Sequence, residues 1–350
     1  NDFKFKNNVL HVENVSINNL IKKFDTPFYC YSANTIIGKI NEFKKYFDNS
    51  NIIICYAVKA NPNIAILKIL SKLGCGAEVV SIGELLRTLK AGISNNKIVF
   101  SGVGKTSEEL EYAIKKNILQ INFESFEELE LILKISKKLK KKVNLGLRIN
   151  PNIDAKTHSK ITTGTKNDKF GLDIETAEKI YKNYNNNPNI KILGLSIHIG
   201  SQITNINPFV RAFSKITNFI KKLNKNKIII KNLDLGGGIG IRYNSERTIS
   251  IGLYAKKILS ISKQLKCNII LEPGRILVAE SGILVSKVLY LKKSLKNQIL
   301  DKYLTGSQQP IELNADYSNY ENFINFSSAE KRLENFKYKI EEIEGHTAKS

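Results

Sequence analysis

Short apolar runs alternate with segments of helical spacing along most of this chain. The runs are residues 51–58, 77–81, 97–101, 120–123, 142–150, 192–199, 232–235 and 268–271. Most are nearly continuous in apolar residues, as strands of a parallel sheet covered on both faces must be. Between them, stretches such as 64–70 and 126–133 repeat apolar residues at three- and four-residue intervals, which predicts helices with one buried face. Ser107-Glu108-Glu109-Leu110 and Ser125-Phe126-Glu127-Glu128 read as helix starts, because acidic side chains in a first turn face its unpaired N–H groups. Eight β/α units in one chain predict an α/β fold of the closed (β/α)8, TIM-like kind rather than a doubly wound sheet.

Two regions fall outside this rhythm. Residues 1–32 carry a strand-like segment at 9–12, a short helix at 17–24 and a second strand at 27–31, and form an N-terminal β segment ahead of a barrel spanning 33–291. Residues 292–350 are atypical: 292–327 are polar with weak periodicity, and 329–344 read as one exposed amphipathic helix. No internal repeat is visible beyond the β/α alternation.

Composition narrows the picture. A chain of 350 residues suits two ordinary domains or one large barrel. Its 42% hydrophobic and 25% charged residues exclude a disordered or collagen-like chain. No apolar run approaches the roughly 18 residues of a membrane helix, and Asn1-Asp2-Phe3-Lys4-Phe5-Lys6 lacks the apolar stretch of a signal peptide. Cys30, Cys55, Cys75 and Cys267 form no CxxC pair and no zinc spacing. A cytoplasmic protein without a metal or membrane is therefore expected. The net charge of 54 − 32 = +22 raises the question of a nucleic-acid partner. The lysines of 135–142 and 219–223, however, stand where the solvated face of an amphipathic helix lies, so no nucleic acid is expected. There is no Met, even at position 1, so a literal full translation product is not expected.

The unusual residues gather at the C-terminal ends of the strands, where barrels of this kind carry their chemistry. The first strand runs into Tyr56-Ala57-Val58-Lys59-Ala60-Asn61-Pro62. Lys59 is either an ordinary loop lysine or a charge in the barrel mouth, where desolvation would lower its pKa and let it attack a carbonyl. The fifth strand ends on Arg148 and the sixth on His198, beside the Gly200-Ser201 turn. A histidine in an apolar strand is ordinarily a core residue, but its place at the mouth favours a site role. The seventh strand continues into Leu235-Gly236-Gly237-Gly238-Ile239-Gly240, which is not the G-x-G-x-x-G dinucleotide fingerprint. Consecutive glycines expose N–H groups that suit a phosphate. The eighth ends in Glu272-Pro273-Gly274-Arg275, and loops after strands seven and eight are a recurring phosphate site in barrels. A phosphate site, an imine-forming lysine, a stacking ring and a carboxylate for a pyridinium nitrogen together suit pyridoxal 5′-phosphate, whose protonated ring is an electron sink.

Residues 56–62, Ala77-Glu78-Val79-Val80-Ser81, 147–151, Lys169-Phe170-Gly171, 198–202, 233–240 and 272–275 closely resemble the diaminopimelate decarboxylase family. These are barrel-type, alanine racemase-like (fold type III) pyridoxal-phosphate enzymes, a group that also includes ornithine decarboxylase. Asp154-Ala155-Lys156-Thr157-His158 and Ile161-Thr162-Thr163-Gly164 resemble the diaminopimelate branch in particular, while His158 itself reads as a loop residue. The resemblance spans residues 8–291 in order. It implies that Lys59 is the Schiff-base lysine and that His198 stacks on the cofactor ring. It implies further that Gly236, Gly237, Gly238, Gly274 and Ser201 hold the phosphate, that Glu272 pairs with the ring nitrogen and that Arg275 binds a substrate carboxylate. Arg148 and Glu78 are implied as ring-oxygen or supporting contacts. The implied reaction converts meso-diaminopimelate into L-lysine and carbon dioxide.

The family's C-terminal β-domain carries a Cys-Glu-(Ser/Thr)-Gly-Asp segment and an Arg-Pro…Tyr segment. In the family these supply a protonating cysteine and substrate contacts across a dimer interface, and neither occurs in residues 292–350. A homodimer is expected where that domain is complete. Two alternatives therefore stand beside the decarboxylase: another amino-acid decarboxylase or racemase of the same barrel family, and a non-catalytic relative.

Overall fold

The computed structural model describes residues 2–47, 51–155, 164, 170–243, 245–293 and 300–304. The predicted helix at 329–344, His158, and most of the 154–164 motif lie outside the described residues.

All eight predicted runs form strands of one closed parallel barrel. In chain order they are β1 (Ile52–Ala57), β2 (Gly76–Val79), β3 (Ile98–Phe100), β4 (Gln120–Phe123), β5 (Val143–Arg148), β6 (Ile190–Ser196), β7 (Asn232–Asp234) and β8 (Asn268–Leu271). Each pairs with its sequence neighbour, and β8 closes on β1 through Ile269–Ile52, Ile270–Ile53 and Leu271–Ile54. Every residue of β2, β3 and β4 is buried, the polar Glu78, Gln120 and Asn122 among them.

The helices after β1 to β7 start on side-chain caps: Asn63, Ser81, Thr106, Ser125, Asp173, Asn205 and Ser250 each accept from a backbone N–H of the first turn. Thr106 and Glu109 complete a capping box, so the predicted start at Ser107 is capped one residue earlier. Such caps fix where each loop at the C-terminal end of the barrel stops and its helix begins. In the helices Phe126–Leu139 and Ile206–Lys225, Ile132, Leu133, Phe219 and Ile220 are buried while Lys137, Lys138, Lys221 and Lys222 are exposed. Those lysines occupy solvated helix faces, as the spacing predicts.

The described residues group into two units, one of 37–242 with 246–278, the other of the residues up to Ile36 with Tyr243, Ser245 and those after Val278. The second has its own small core of Phe3, Val12, Ile17, Cys30 and Val285. The helix Ile17–Phe24 and the strands Val9–Val12 and Phe28–Tyr31 form where the sequence predicts them. Five strands are additional among the described residues: Phe3–Lys6 and Val15–Ser16, both antiparallel to Val9–Val12, Gly282–Val285, antiparallel to Phe28–Tyr31, and the antiparallel pair Val288–Lys293 and Leu300–Leu304.

Candidate active site

The chain leaves β1 through a single 3-10 turn, Val58–Ala60, which ends the strand one residue before its predicted limit. Lys59 sits at the centre of this turn, with Val58 and Ala57 buried below it. Its Nζ is 2.6 Å from Oε2 of Glu78 on the neighbouring strand β2. Lys105, after β3, offers a useful contrast. Its ammonium donates to Gly102 O (2.5 Å), Asn122 O (2.7 Å) and Glu128 Oε1 (2.7 Å), and its side chain is only 1% exposed. Three acceptors commit Lys105 to the scaffold, whereas 51% of the Lys59 side chain remains accessible.

Desolvation opposes the Lys59 charge, but Glu78 and then Glu272 outweigh it and hold the ammonium above the ordinary lysine value. This corrects the sequence expectation of a lowered pKa. A carboxylate buried on the next strand was not legible as a partner.

Glu272 follows β8 and is buried. Burial, followed by the charges of Asp234 and Glu78, pushes its carboxyl well above the usual carboxylate range. Its Oε1 is buried without a hydrogen-bond partner, an arrangement that costs free energy unless something else completes it. The Glu272 backbone N–H donates to Gly236 O at 2.8 Å, which fastens the turn after β8 to the turn after β7.

The glycines after β7 leave no space for side chains. A Cβ on Gly237 would lie 2.1 Å from Glu272 O, and one on Gly238 would lie 2.1 Å from Gly200 O. Gly236 and Gly238 also take φ values of +66° and +102°, which side-chain-bearing residues rarely adopt. The Gly236 N–H is committed to Asp234 Oδ1 at 2.9 Å. The Gly237 N–H points toward His198 Nδ1 at 3.4 Å. Ile203 N donates to Gly238 O, and Gly240 N to Ile203 O, so the bend holding Ser201 and Gln202 is stitched alongside the glycine run. Gln202 accepts from Ile241 N at 3.1 Å and faces Arg275 Nη1 at 3.5 Å. Gly274 packs against the end of β1, where an added Cβ would meet Ala57 Cβ at 3.1 Å.

His198 follows β6 and is half-buried. Burial, then the positive charges of Arg148 and Lys59, lowers its pKa to about 3, so its ring is neutral across the physiological range. Arg148 ends β5 and forms an ion pair with Glu124 (2.9 Å), with its guanidinium 4.8 Å from the Phe170 ring centroid. Glu124 also accepts from Gly171 N–H at 3.1 Å, which ties the Phe170-Gly171 motif to the end of β4. Asp234, wholly buried at the end of β7, accepts from Asn122, Ser196 and Gly236. Neither Glu124 nor Asp234 was anticipated from sequence. Each is one of several polar residues in or beside its run, with nothing local to reveal which way it points.

The residues present fit pyridoxal phosphate. A half-open lysine sits among carboxylates, a buried carboxyl oxygen lacks a partner, and a backbone cradle is kept clear by glycines whose added Cβ atoms would strike carbonyl oxygens.

Residues 33–279 match the family described as pyridoxal-dependent decarboxylase, pyridoxal binding domain, and the chain belongs to that class. Within it, the chain belongs to the diaminopimelate decarboxylases. The diaminopimelate decarboxylase of Zymomonas mobilis is 41% identical over 315 residues, covering 88% of this chain and 75% of that one. That of Helicobacter pylori is 45% identical over 275 residues, covering 79% and 68%. Among solved structures, the Helicobacter pylori enzyme complexed with L-lysine superposes with a TM-score of 0.77 at 44% identity, covering 79% of this chain and 70% of that one. A lysine/ornithine decarboxylase of Vibrio vulnificus gives 0.70 at 22% identity, over 82% and 73%, a likeness of fold alone.

Proposed function

We propose that this chain catalyses the pyridoxal-phosphate-dependent decarboxylation of meso-diaminopimelate to L-lysine and carbon dioxide. The observation that carries the reading is the pairing of the half-open Lys59, beside Glu78, with the unpartnered Oε1 of Glu272 at the same end of the barrel. When bound, pyridoxal phosphate supplies an electron sink for the carbon that loses its carboxylate.

The residues would divide the work as follows. Lys59 would hold the cofactor covalently through its amine, and Glu78 would keep that side chain aimed across the mouth. Gly237, Gly238, Gly274 and Ser201 would surround the phosphate. Gly236 would contribute shape rather than a donor, because its N–H already serves Asp234. Glu272 would meet the ring nitrogen. Neutral His198 would lie against the ring without adding a positive charge beside a pyridinium. Arg275 would bind a substrate carboxylate, and Arg148, anchored by Glu124, would sit behind the ring as a fixed positive charge. A cytoplasmic location accompanies this reading, and a homodimer would accompany it where the family's C-terminal domain is complete. Among the described residues no helix is long and apolar enough to cross a membrane, and the four cysteines are free and buried.

The test is release of carbon dioxide and lysine from meso-diaminopimelate by the 350-residue chain loaded with pyridoxal phosphate, beside a Lys59→Ala control. Release that the substitution abolishes supports the reading. A folded, cofactor-bound chain that releases neither product refutes it for this chain.

A further inference from the structure

The Asp234 carboxylate stands at the end of a line of side-chain amides that crosses the barrel interior. Asn268 Nδ2 donates to Asn232 Oδ1 (3.1 Å) and Asn232 Nδ2 to Gln120 Oε1 (3.2 Å). Gln120 Nε2 then donates to Asn122 Oδ1 (2.7 Å), and Asn122 Nδ2 to Asp234 Oδ2 (2.9 Å). All four amides donate in one sense, from exposed Asn268 toward buried Asp234. A single chemical cause suffices. An ionised carboxylate only accepts, so Asn122 must turn its NH2 group to it, which leaves its oxygen for Gln120, and the choice propagates outward.

Neighbouring strands are cut away to admit this line. A Cβ on Gly146 of β5 would lie 2.2 Å from Asn122 Oδ1, and one on Gly194 of β6 would lie 2.1 Å from Gln120 Oε1. Glycine inside a strand weakens it, and here both mark the close passage of the amides.

Asp234 accepts two further bonds, from Ser196 Oγ at 3.0 Å and Gly236 N–H at 2.9 Å. Glu272 stands two residues beyond Ile270, the register partner of Asp234 on β8, and the nearby Asp234 charge helps to push its carboxyl up. Two buried carboxyl groups set this near each other share one proton. Asp234, with three other donors, is the better-solvated anion. Glu272 therefore carries the proton.

We propose that Asp234 is a positioning residue, the fixed anion at the end of the amide line, which holds Glu272 as its protonated partner where that carboxyl would meet the cofactor's ring nitrogen. The inference rests on the pairing of Glu272 with that nitrogen proposed above. The other titratable groups facing the pair are Lys59 and Cys55 at β1, Glu78 on β2 and Tyr254 on the helix Ile251–Leu265.

Infrared difference spectra of the full chain before cofactor loading, with equilibrium measurement of pyridoxal phosphate binding, test this. At neutral pH the unsubstituted chain should show a protonated-carboxyl stretch that Glu272→Gln removes. Asp234→Asn should remove it too, since an amide partner no longer demands the proton. Both variants should weaken cofactor binding roughly tenfold, the scale of one hydrogen bond to a charged group. Absence of the protonated band in the unsubstituted chain overturns the proposal without recourse to any variant. So does its persistence in Asp234→Asn, or a loss of affinity in Glu272→Gln that Asp234→Asn does not share. If Glu272→Gln binds the cofactor normally, the pairing of Glu272 with the ring fails instead.

Discussion

Lys59 Nζ and Glu78 Oε2 lie 2.6 Å apart across the first two strands of the barrel, and the carboxylate side of the pair is buried while the ammonium side is half open. Because Glu78 outweighs desolvation, replacing it by Gln lets desolvation lower the Lys59 pKa. Covalent capture of an aldehyde needs the neutral amine, so the pH midpoint for pyridoxal phosphate incorporation should fall in Glu78→Gln, as followed by absorbance. The stability term has a defined sign. A raised folded pKa contributes fully below the unfolded value and is lost as pH rises through the folded one. Glu78→Gln should thus lose stability most visibly below the lysine range, with a smaller deficit at strongly alkaline pH. An unmoved incorporation midpoint would show that Glu78 does not govern this amine.

His198 should remain neutral until the pH falls to about 3, whereas an unperturbed histidine titrates near ~6.5. Over that interval the unfolded chain binds a proton that the folded chain refuses, so this residue makes the protein less stable as acidity increases. Ring NMR shifts of His198 that stay flat from neutral pH through the ordinary histidine range would bear this out. A midpoint close to the unperturbed value would mean that the site is far wetter than the packing indicates.

Gly237→Ala should cost about 1–3 kcal/mol, since its Cβ would lie 2.1 Å from a backbone carbonyl that cannot step aside cheaply. The same variant should lose pyridoxal phosphate binding by displacing the Glu272 backbone. Gly38→Ala is the matched control. Gly38 sits in the helix Ala33–Lys45 with nothing within 4 Å of an added Cβ, so the variant should be more stable by about 0.5–1 kcal/mol. Denaturant midpoints of both variants provide the comparison, and equal effects would contradict the packing argument.

Lys105→Ala removes one end of a buried ion pair and strands the Glu128 carboxylate together with two carbonyl oxygens. Breaking such a pair costs about 3–5 kcal/mol. Thermal unfolding should show a large drop in stability, while Lys105→Met should recover part of the lost packing but not the hydrogen bonds. A Lys105→Ala protein of normal stability would show that the ammonium is not structurally committed.

The barrel was legible because its strands are buried on both faces and their apolar runs stand out at every turn of the chain. Lys59, His198, the glycine run and Glu272 were legible because each breaks the pattern at the end of a run. Phe3–Lys6 was not, since four alternating residues carry too little signal to register as a strand. The pairing of Gly282–Val285 with Phe28–Tyr31 was hidden for a different reason: nothing local encodes a partner some 250 positions away. Asp234, Glu124 and Lys105 were missed because their meaning lies in the groups they meet. Gly146 and Gly194 held the one local clue to the amide line, being glycines in the middle of strands with no turn to explain them.

The 2.8 Å bond from Glu272 N–H to Gly236 O makes the turns after β7 and β8 a single gauge block. One end of a bound molecule would be read by the glycine backbone and the other by the Glu272 carboxyl, whose backbone root is fixed against that glycine turn. Such a block grades planar rings by the span between an anionic tail and a ring atom. A pyridoxal analogue with its tail lengthened by one methylene should then be rejected, however well its separate parts would fit.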